Sequence, residues 1–223
     1  SIHGLRADVQ ATVDAISKRF ASAQPRLEIG RDAATPWLVR ERSDRLRGER
    51  LHLFDPRSNA SVEVFPQLGF QLNGKPMARV PEAAMARQVP VSWIASDGLR
   101  LHGFVWLPPG VDAARAPLVV NVHGGPYNHV KPEFSAGAQF LANHGYIVFR
   151  PNFRGSTGHG RRMVLASEGD FGGDGAVQRD IVEGTRWLLA NGIGDPDRVG
   201  ITGASYGGYA TLLGLSFQPQ LFK

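Results

Sequence analysis

Residues 199–208 read Val-Gly-Ile-Thr-Gly-Ala-Ser-Tyr-Gly-Gly, and few folds accommodate such a run. A short apolar strand leads into a Gly-x-Ser-x-Gly turn, and Tyr209 to Phe217 continues it as a helix-like stretch. A strand–turn–helix junction of this kind is a nucleophile elbow. The chain reverses so sharply that its central residue must take a strained backbone conformation. Strain of that kind costs about 1–3 kcal/mol and persists mainly where function requires it. Gly203 and Gly207 stand two residues to either side of the serine, where strand and helix backbones nearly touch and a side chain has no room. Ser205 then projects its hydroxyl from the top of a sheet, at the start of a helix whose amides favour developing negative charge. The pattern predicts a nucleophile at Ser205.

The first hundred residues differ in character from the rest. Val9, Val13, Ile16 and Phe20 recur at helical spacing and predict an amphipathic helix over 8–22, stopping before Pro25. Three short alternating runs follow: Trp37-Leu38-Val39, Leu51-His52-Leu53-Phe54 and Val62-Glu63-Val64-Phe65. Turn residues separate them, notably Asp55-Pro56-Arg57-Ser58-Asn59, so the segment reads as an antiparallel meander. Three short strands cannot cover both faces of a sheet, and the meander is expected to be part of something larger. Residues 66–88, with Pro66, Pro76, Pro81 and the Asn73-Gly74 pair, read as a connector.

From Pro90 the pattern changes, and a second domain is expected over 89–223. Val91 to Ala95 and Leu99 to Leu107 flank Asp97-Gly98, a strong hairpin signal. Leu118 to Val122 is a continuous apolar run, as in a strand covered on both faces. A helix over 136–143, a buried strand over 146–149, a helix marked by Val177, Ile181, Thr185, Leu188 and Leu189, and a strand over 199–202 complete the series. Strand–helix–strand–helix–strand predicts an α/β fold with a parallel sheet.

Bulk properties narrow the function classes. A chain of 223 residues holds one large domain, or one domain and a piece of another. Its hydrophobic content of 42% is that of a globular protein. No apolar run is long enough to span a bilayer, and residues 1–8 lack the apolar core of a signal peptide, so no membrane partner is expected and the compartment stays open between cytoplasmic and periplasmic. The absence of cysteine excludes disulfides, thiolate metal sites and cysteine nucleophiles. The net charge of +5 invites a nucleic-acid reading. However, the arginines at 40, 42, 45, 47 and 50 are interrupted by Glu41, Asp44 and Glu49. A phosphate-tracking stripe is continuous and of one sign, so a mixed-sign turn between strands is expected instead. The histidines show no ligand spacing, and the glycine-rich turns match neither phosphate-loop nor dinucleotide fingerprints. No metal or organic cofactor is expected.

The chemistry-bearing residues follow the predicted parallel strands. His123-Gly124-Gly125-Pro126-Tyr127 comes directly after the first of them, where an α/β-hydrolase places one donor of its oxyanion hole. Gly125 is the preferred amide, with Gly124 the alternative, and the amide of Tyr206 is the second donor. His123 stands in a strand-end turn ahead of the nucleophile, and a structural, hydrogen-bonded histidine is favoured there over a general base. The second strand ends in Arg150-Pro151-Asn152-Phe153-Arg154-Gly155-Ser156-Thr157-Gly158-His159-Gly160. Strand ends build the crevice of an open α/β sheet. Tyr127 and Arg154 are therefore candidate substrate contacts, although for Arg154 the favoured role is to pin its own loop through Asp174 or Asp180. His159, between glycines, reads as loop structure, and His3, His52, His102, His129 and His144 as surface or packing residues.

Three motifs together carry a resemblance. His123-Gly124-Gly125-Pro126, then Asn152-x-Arg154-Gly155-Ser156-x-Gly158-x-Gly160, then Gly203-Ala204-Ser205-Tyr206-Gly207-Gly208 resemble the prolyl oligopeptidase family of serine peptidases, and most closely its acylaminoacyl-peptidase and bacterial dipeptidyl-peptidase branch. The resemblance implies that Ser205 attacks a peptide carbonyl and forms an acyl-enzyme. It also implies that residues 25–66 are the last strands of a β-propeller that restricts access to short peptides. A carboxylesterase of the same fold and a non-catalytic binding or assembly fragment are the alternatives. In α/β-hydrolases the triad runs Ser, then Asp or Glu, then His, but residues 206–223 contain neither an acid nor a histidine. The expectation is an α/β-hydrolase domain incomplete at its C-terminal side and inactive alone. The remaining part of the enzyme, as a continuation or a second chain, would supply the Asp and His. A homo-oligomer is left open.

Overall fold

The computed structural model describes residues 6–21, 25–29, 35–46, 48–64, 70–77 and 80–223. The chain divides into two compact units, Ser1–Ala83 and Ala84–Lys223.

In the first unit, helix α1 (Ala7–Arg19) presents Val13, Ile16 and, just past its end, Phe20 to an apolar cluster with Trp37, Val39 and Phe54. These side chains come from a four-stranded antiparallel meander in the order β1 (Arg26–Glu28), β2 (Trp37–Glu41), β3 (Arg50–Asp55) and β4 (Ala60–Glu63). Strand β1 adds to the three expected from sequence. The β3–β4 turn is built by Asp55, whose carboxylate accepts from the Arg57 amide and the Ser58 hydroxyl, with Asn59 at φ 55°. Between β2 and β3 the basic residues are matched by acids: Arg40 pairs with Glu28 and Glu49, Arg42 with Glu49, and Arg50 with Glu41 and Glu82. Arg47 and Phe65 lie outside the described residues.

The expected connector holds a further hairpin, β5 (Phe70–Leu72) and β6 (Lys75–Met77). Asn73 and Gly74, at φ 52° and 74°, form its two-residue turn, the geometry for which an Asn-Gly pair is preferred.

The second unit is built on one sheet in the order β11-β9-β10-β8-β7. Strands β7 (Arg87–Ile94) and β8 (Arg100–Leu107) form the hairpin about Asp97-Gly98, with Leu101 opposite Trp93. Strands β9 (Leu118–Val122), β10 (Ile147–Asn152) and β11 (Val199–Gly203) are mutually parallel through β9, whereas β10 meets β8 antiparallel. The sheet is therefore mixed, its parallel part edged by a hairpin. Residues 84–88, expected in the connector, belong to this unit, because β7 starts at Arg87.

The pleat sorts side chains to two faces. Ile147 and Phe149 join the main core with Leu118, Val120 and Val122, while Val148 joins Trp106, Ala138 and Ala142 under helix α2 (Ala136–Asn143). Strand β9 alternates buried with half-buried residues, Val119 and Asn121 being the latter, so it is less enclosed than its apolar run suggests. A short helix α3 (Arg161–Leu165) precedes helix α4 (Ala176–Ala190), which buries Val177, Ile181 and Leu188 on the main core. Fully burying such a side chain is worth about 1.5–3 kcal/mol. The Asp170 carboxylate accepts from the Ala176 amide at the start of α4. At its end Gly192 sits at φ 72° while the Ile193 amide returns to the Leu188 carbonyl, a glycine-terminated cap. Helix α5 (Tyr206–Phe217) follows β11 with only Ala204 and Ser205 between them.

Candidate active site

Two glycines make the β11–α5 junction possible. A Cβ on Gly203 would stand 2.5–2.7 Å from the Gly207 backbone, and one on Gly207 would run into the carbonyl oxygen of Val122. Strand β9, strand β11 and helix α5 thus meet at backbone contact. The chain turns between them through Ser205 at φ 55° and ψ −122°. For a residue with a side chain this conformation is strained by about 1–3 kcal/mol. The serine side chain is exposed, and no group among the described residues hydrogen-bonds its hydroxyl.

Beside it lies the loop that leaves β9. A Cβ built on Gly124 would meet Ala204 O at 3.1 Å, Ser205 Cβ at 3.4 Å and Ser205 Oγ at 3.9 Å, so the loop passes directly against the serine. Gly125 has φ 132°, and a Cβ there would stand 2.7 Å from the Tyr127 amide. The amides of Gly125 and Tyr206, the two expected donors, donate to no acceptor among the described residues. One exposed hydroxyl and two uncommitted amides therefore lie on adjoining segments. Such a set can attack a carbonyl and hold the resulting oxyanion.

Among the described residues no histidine or carboxylate hydrogen-bonds Ser205. His123 is buried, 6% exposed, with Nδ1 2.8 Å from the Gly124 carbonyl and Nε2 3.0 Å from Ser156 Oγ. Its ring stacks on Phe153 at 4.4 Å and 13°. Burial holds its pKa down to about 4. Both nitrogens are engaged away from Ser205, as befits the structural histidine expected from sequence.

Arg154 is committed to its own loop and not open to a substrate. It is 5% exposed, and its Nε and Nη2 donate to the Asp180 carboxylate at 2.8 and 2.7 Å, its own amide adding a third bond at 2.8 Å. Nη1 donates to Asp97 at 2.7 Å. The guanidinium thus pins its loop to α4 and to the β7–β8 turn. Hydrogen bonds donated to Asp180 raise the pKa of Arg154, while burial pushes the Asp180 carboxyl up against those same bonds. Of the two acids weighed from sequence, Asp180 is the partner; Asp97, read only as a turn residue, gave no signal of this second role.

Tyr127 is 56% exposed and borders an open recess of about 300 Å³ with Val164, Leu165 and Glu168. Tyr206 packs its ring against Phe153, Phe171 and Tyr209. Burial raises its pKa, and its hydroxyl has no hydrogen-bond partner among the described residues. Asn152 braces the site in a way that sequence did not single out. Its side chain accepts from the Val130 amide at 2.7 Å and donates to the Val130 carbonyl at 3.1 Å. With Thr157 N–H on Asn128 O and His129 Nδ1 on Thr157 Oγ1, it ties together the loops after β9 and β10. His159 stacks on His102 at 5.0 Å in the second of these loops. Among the described residues no cluster could hold a metal ion, and no helix is long and apolar enough to cross a membrane.

Comparison with known proteins finds relatives in sequence and in fold. Residues 132–223 match the sequence model of the prolyl oligopeptidase family. Dipeptidyl aminopeptidase BIII of Pseudoxanthomonas mexicana is 37% identical over 197 residues, covering 85% of this chain and 25% of that protein. Dipeptidyl peptidase family member 6 of Caenorhabditis elegans is 37% identical over 144 residues, 64% of this chain and 18% of that one. Among solved structures, Pyrococcus horikoshii acylaminoacyl peptidase superposes with a TM-score of 0.64 at 25% identity, over 89% of this chain and 29% of that one. A Mycobacterium tuberculosis puromycin-hydrolyzing peptidase shares the fold, with a TM-score of 0.67 at 24% identity over 85% of this chain and 28% of its own. The chain spans a quarter or less of the length of these curated relatives. By sequence and by fold, the chain belongs to the prolyl oligopeptidase family of serine peptidases.

Proposed function

We propose that this chain carries the nucleophile and oxyanion hole of a serine peptidase that cleaves short peptides, of the acylaminoacyl or dipeptidyl type. The observation that carries the reading is Ser205, exposed at a strained elbow against Gly124, with the Gly125 and Tyr206 amides uncommitted. In this reading the Ser205 Oγ attacks the scissile carbonyl carbon, and the carbonyl oxygen takes up negative charge between the two amides. Collapse expels the amine and leaves an acyl-enzyme, which water hydrolyses. A base must take the serine proton, and a carboxylate must orient that base. His123 is committed elsewhere, so the proposal assigns the acid and base to the remaining C-terminal part of the enzyme, joined or as a second chain. Tyr127 is proposed to line the substrate cleft. The four-stranded meander is proposed as the end of a β-propeller that limits substrate size.

The test uses the full-length enzyme with a fluorophosphonate probe, acylaminoacyl and dipeptidyl reporters, and p-nitrophenyl esters. Wild type is expected to be labelled and to release product from the peptide reporters, and Ser205→Ala to do neither. Turnover of esters alone would make it a carboxylesterase. Absence of labelling in the wild-type enzyme would leave a binding or assembly role.

A further inference from the structure

We propose that His123 is a positioning residue: its ring holds the Gly124 carbonyl so that the amide on the other side of that peptide, Gly125 N–H, faces the space beside Ser205. The inference rests on the reading of Ser205 as a nucleophile.

The peptide itself sets the constraint. Gly124–Gly125 is trans, so its C=O and N–H point in opposite directions from one rigid plane, and fixing the oxygen aims the amide. A peptide between two glycines has the least resistance to flipping, because neither neighbour carries a Cβ to restrict φ and ψ. Something else must choose its orientation. His123 Nδ1 lies 2.8 Å from the Gly124 oxygen. A carbonyl only accepts, so Nδ1 carries the hydrogen. Burial holds the ring neutral by keeping its pKa down to about 4, so Nε2 is a lone pair and accepts from the Ser156 hydroxyl at 3.0 Å. The neutral ring bonded in this way has one tautomer.

Its plane is fixed as well. His123 stacks on Phe153, which is fully buried and lies 5.4 Å from the ring of Tyr206. The amide of Tyr206 is the second proposed donor, so this stack links both halves of the hole. The arrangement differs from a histidine that only fills space, because it depends on one donor at one atom.

The experiment compares three variants in the full-length enzyme. Asparagine places its amide nitrogen near the position of Nδ1, so His123→Asn keeps the donor to the Gly124 carbonyl. Glutamine places its amide near Nε2, so His123→Gln reaches Ser156 and releases the carbonyl. His123→Ala removes both contacts. Losing an oxyanion donor outright lowers kcat by about 100- to 1,000-fold, so mis-aiming one is expected to lower kcat about 30- to 100-fold in His123→Gln and at least as much in His123→Ala. KM is expected to stay within about threefold, because ground-state binding does not use the hole. His123→Asn is expected to retain most of kcat, and the rate of fluorophosphonate labelling to follow kcat across the series. Should glutamine fail to fold, the asparagine–alanine comparison gives the same reading. Equal kcat in the asparagine and glutamine or alanine variants, or a loss in KM alone, overturns the inference while Ser205 stays labelled. A wild-type enzyme that neither labels nor turns over overturns the reading of the site and this inference with it.

Discussion

At the scale of single residues, the buried imidazole of His123 links the site to pH. Burial away from water holds its pKa down to about 4, whereas in an unfolded chain a histidine titrates near 6.5. Between these values the unfolded chain binds a proton that the folded protein does not, so acid favours unfolding. The contribution is fully present above about pH 6.5 and is lost as pH falls toward 4, below which it is constant. The difference corresponds to about 3 kcal/mol. His123→Asn cannot titrate but keeps the remaining carboxylates and histidines. Chemical denaturation at pH 7 and pH 4.5 is therefore expected to show wild type losing about 2.5 kcal/mol more than His123→Asn over this interval. Equal losses would mean that the ring is protonated in the folded protein, which would also contradict its acceptance of a bond from Ser156.

Between elements, the same guanidinium makes two ion pairs of different environment, and burial decides which matters. Asp180 is fully buried on α4, while the Asp97 side chain in the β7–β8 turn is 42% exposed. Removing one member of a buried pair leaves an unpaired charge and costs about 3–5 kcal/mol. An exposed pair is worth about 1 kcal/mol or less. Asp180→Ala is expected to destabilise several-fold more than Asp97→Ala, and Arg154→Lys to recover little, because an ammonium cannot reproduce the two-pronged bond to Asp180. Comparable losses at the two acids, measured by chemical denaturation, would show that the loop is not held through α4. This pair also marks the limit of what sequence yields. That Arg154 had an acidic partner was legible from the loop in which it stands, but selecting Asp180 over Asp174 depends on how α4 lies on the sheet. Helix α1 and the β7–β8 hairpin were readable because apolar period and turn chemistry are local. Strand β1 was missed because Arg-Leu-Glu has no strand pattern, and β5–β6 because three prolines obscured an Asn-Gly turn.

For the molecule as a whole, the elbow was legible because its glycines are demanded by backbone contact. The strand order was not, since nothing local to β11 states that it pairs with β9 and not β10. That order places β11 at the edge of the sheet, with no strand among the described residues on its outer side. Helix α5 adds a second unsatisfied surface. Tyr206 to Phe217 contains no charged residue, and a helix apolar all round is ordinarily buried all round. Yet Leu212 is 65% exposed, Phe217 57%, Tyr209 44% and Leu215 43%. An apolar patch beside an open strand edge promotes association. A polypeptide of these 223 residues is therefore expected to bind a hydrophobic dye such as ANS and to sediment as concentration-dependent oligomers. Leu212→Ser with Leu215→Ser should reduce both signals without unfolding the sheet, because neither side chain belongs to the buried core. A dye-silent monomer at high concentration would show that this helix face is covered by something within the chain, and that the open edge of β11 does not by itself drive association.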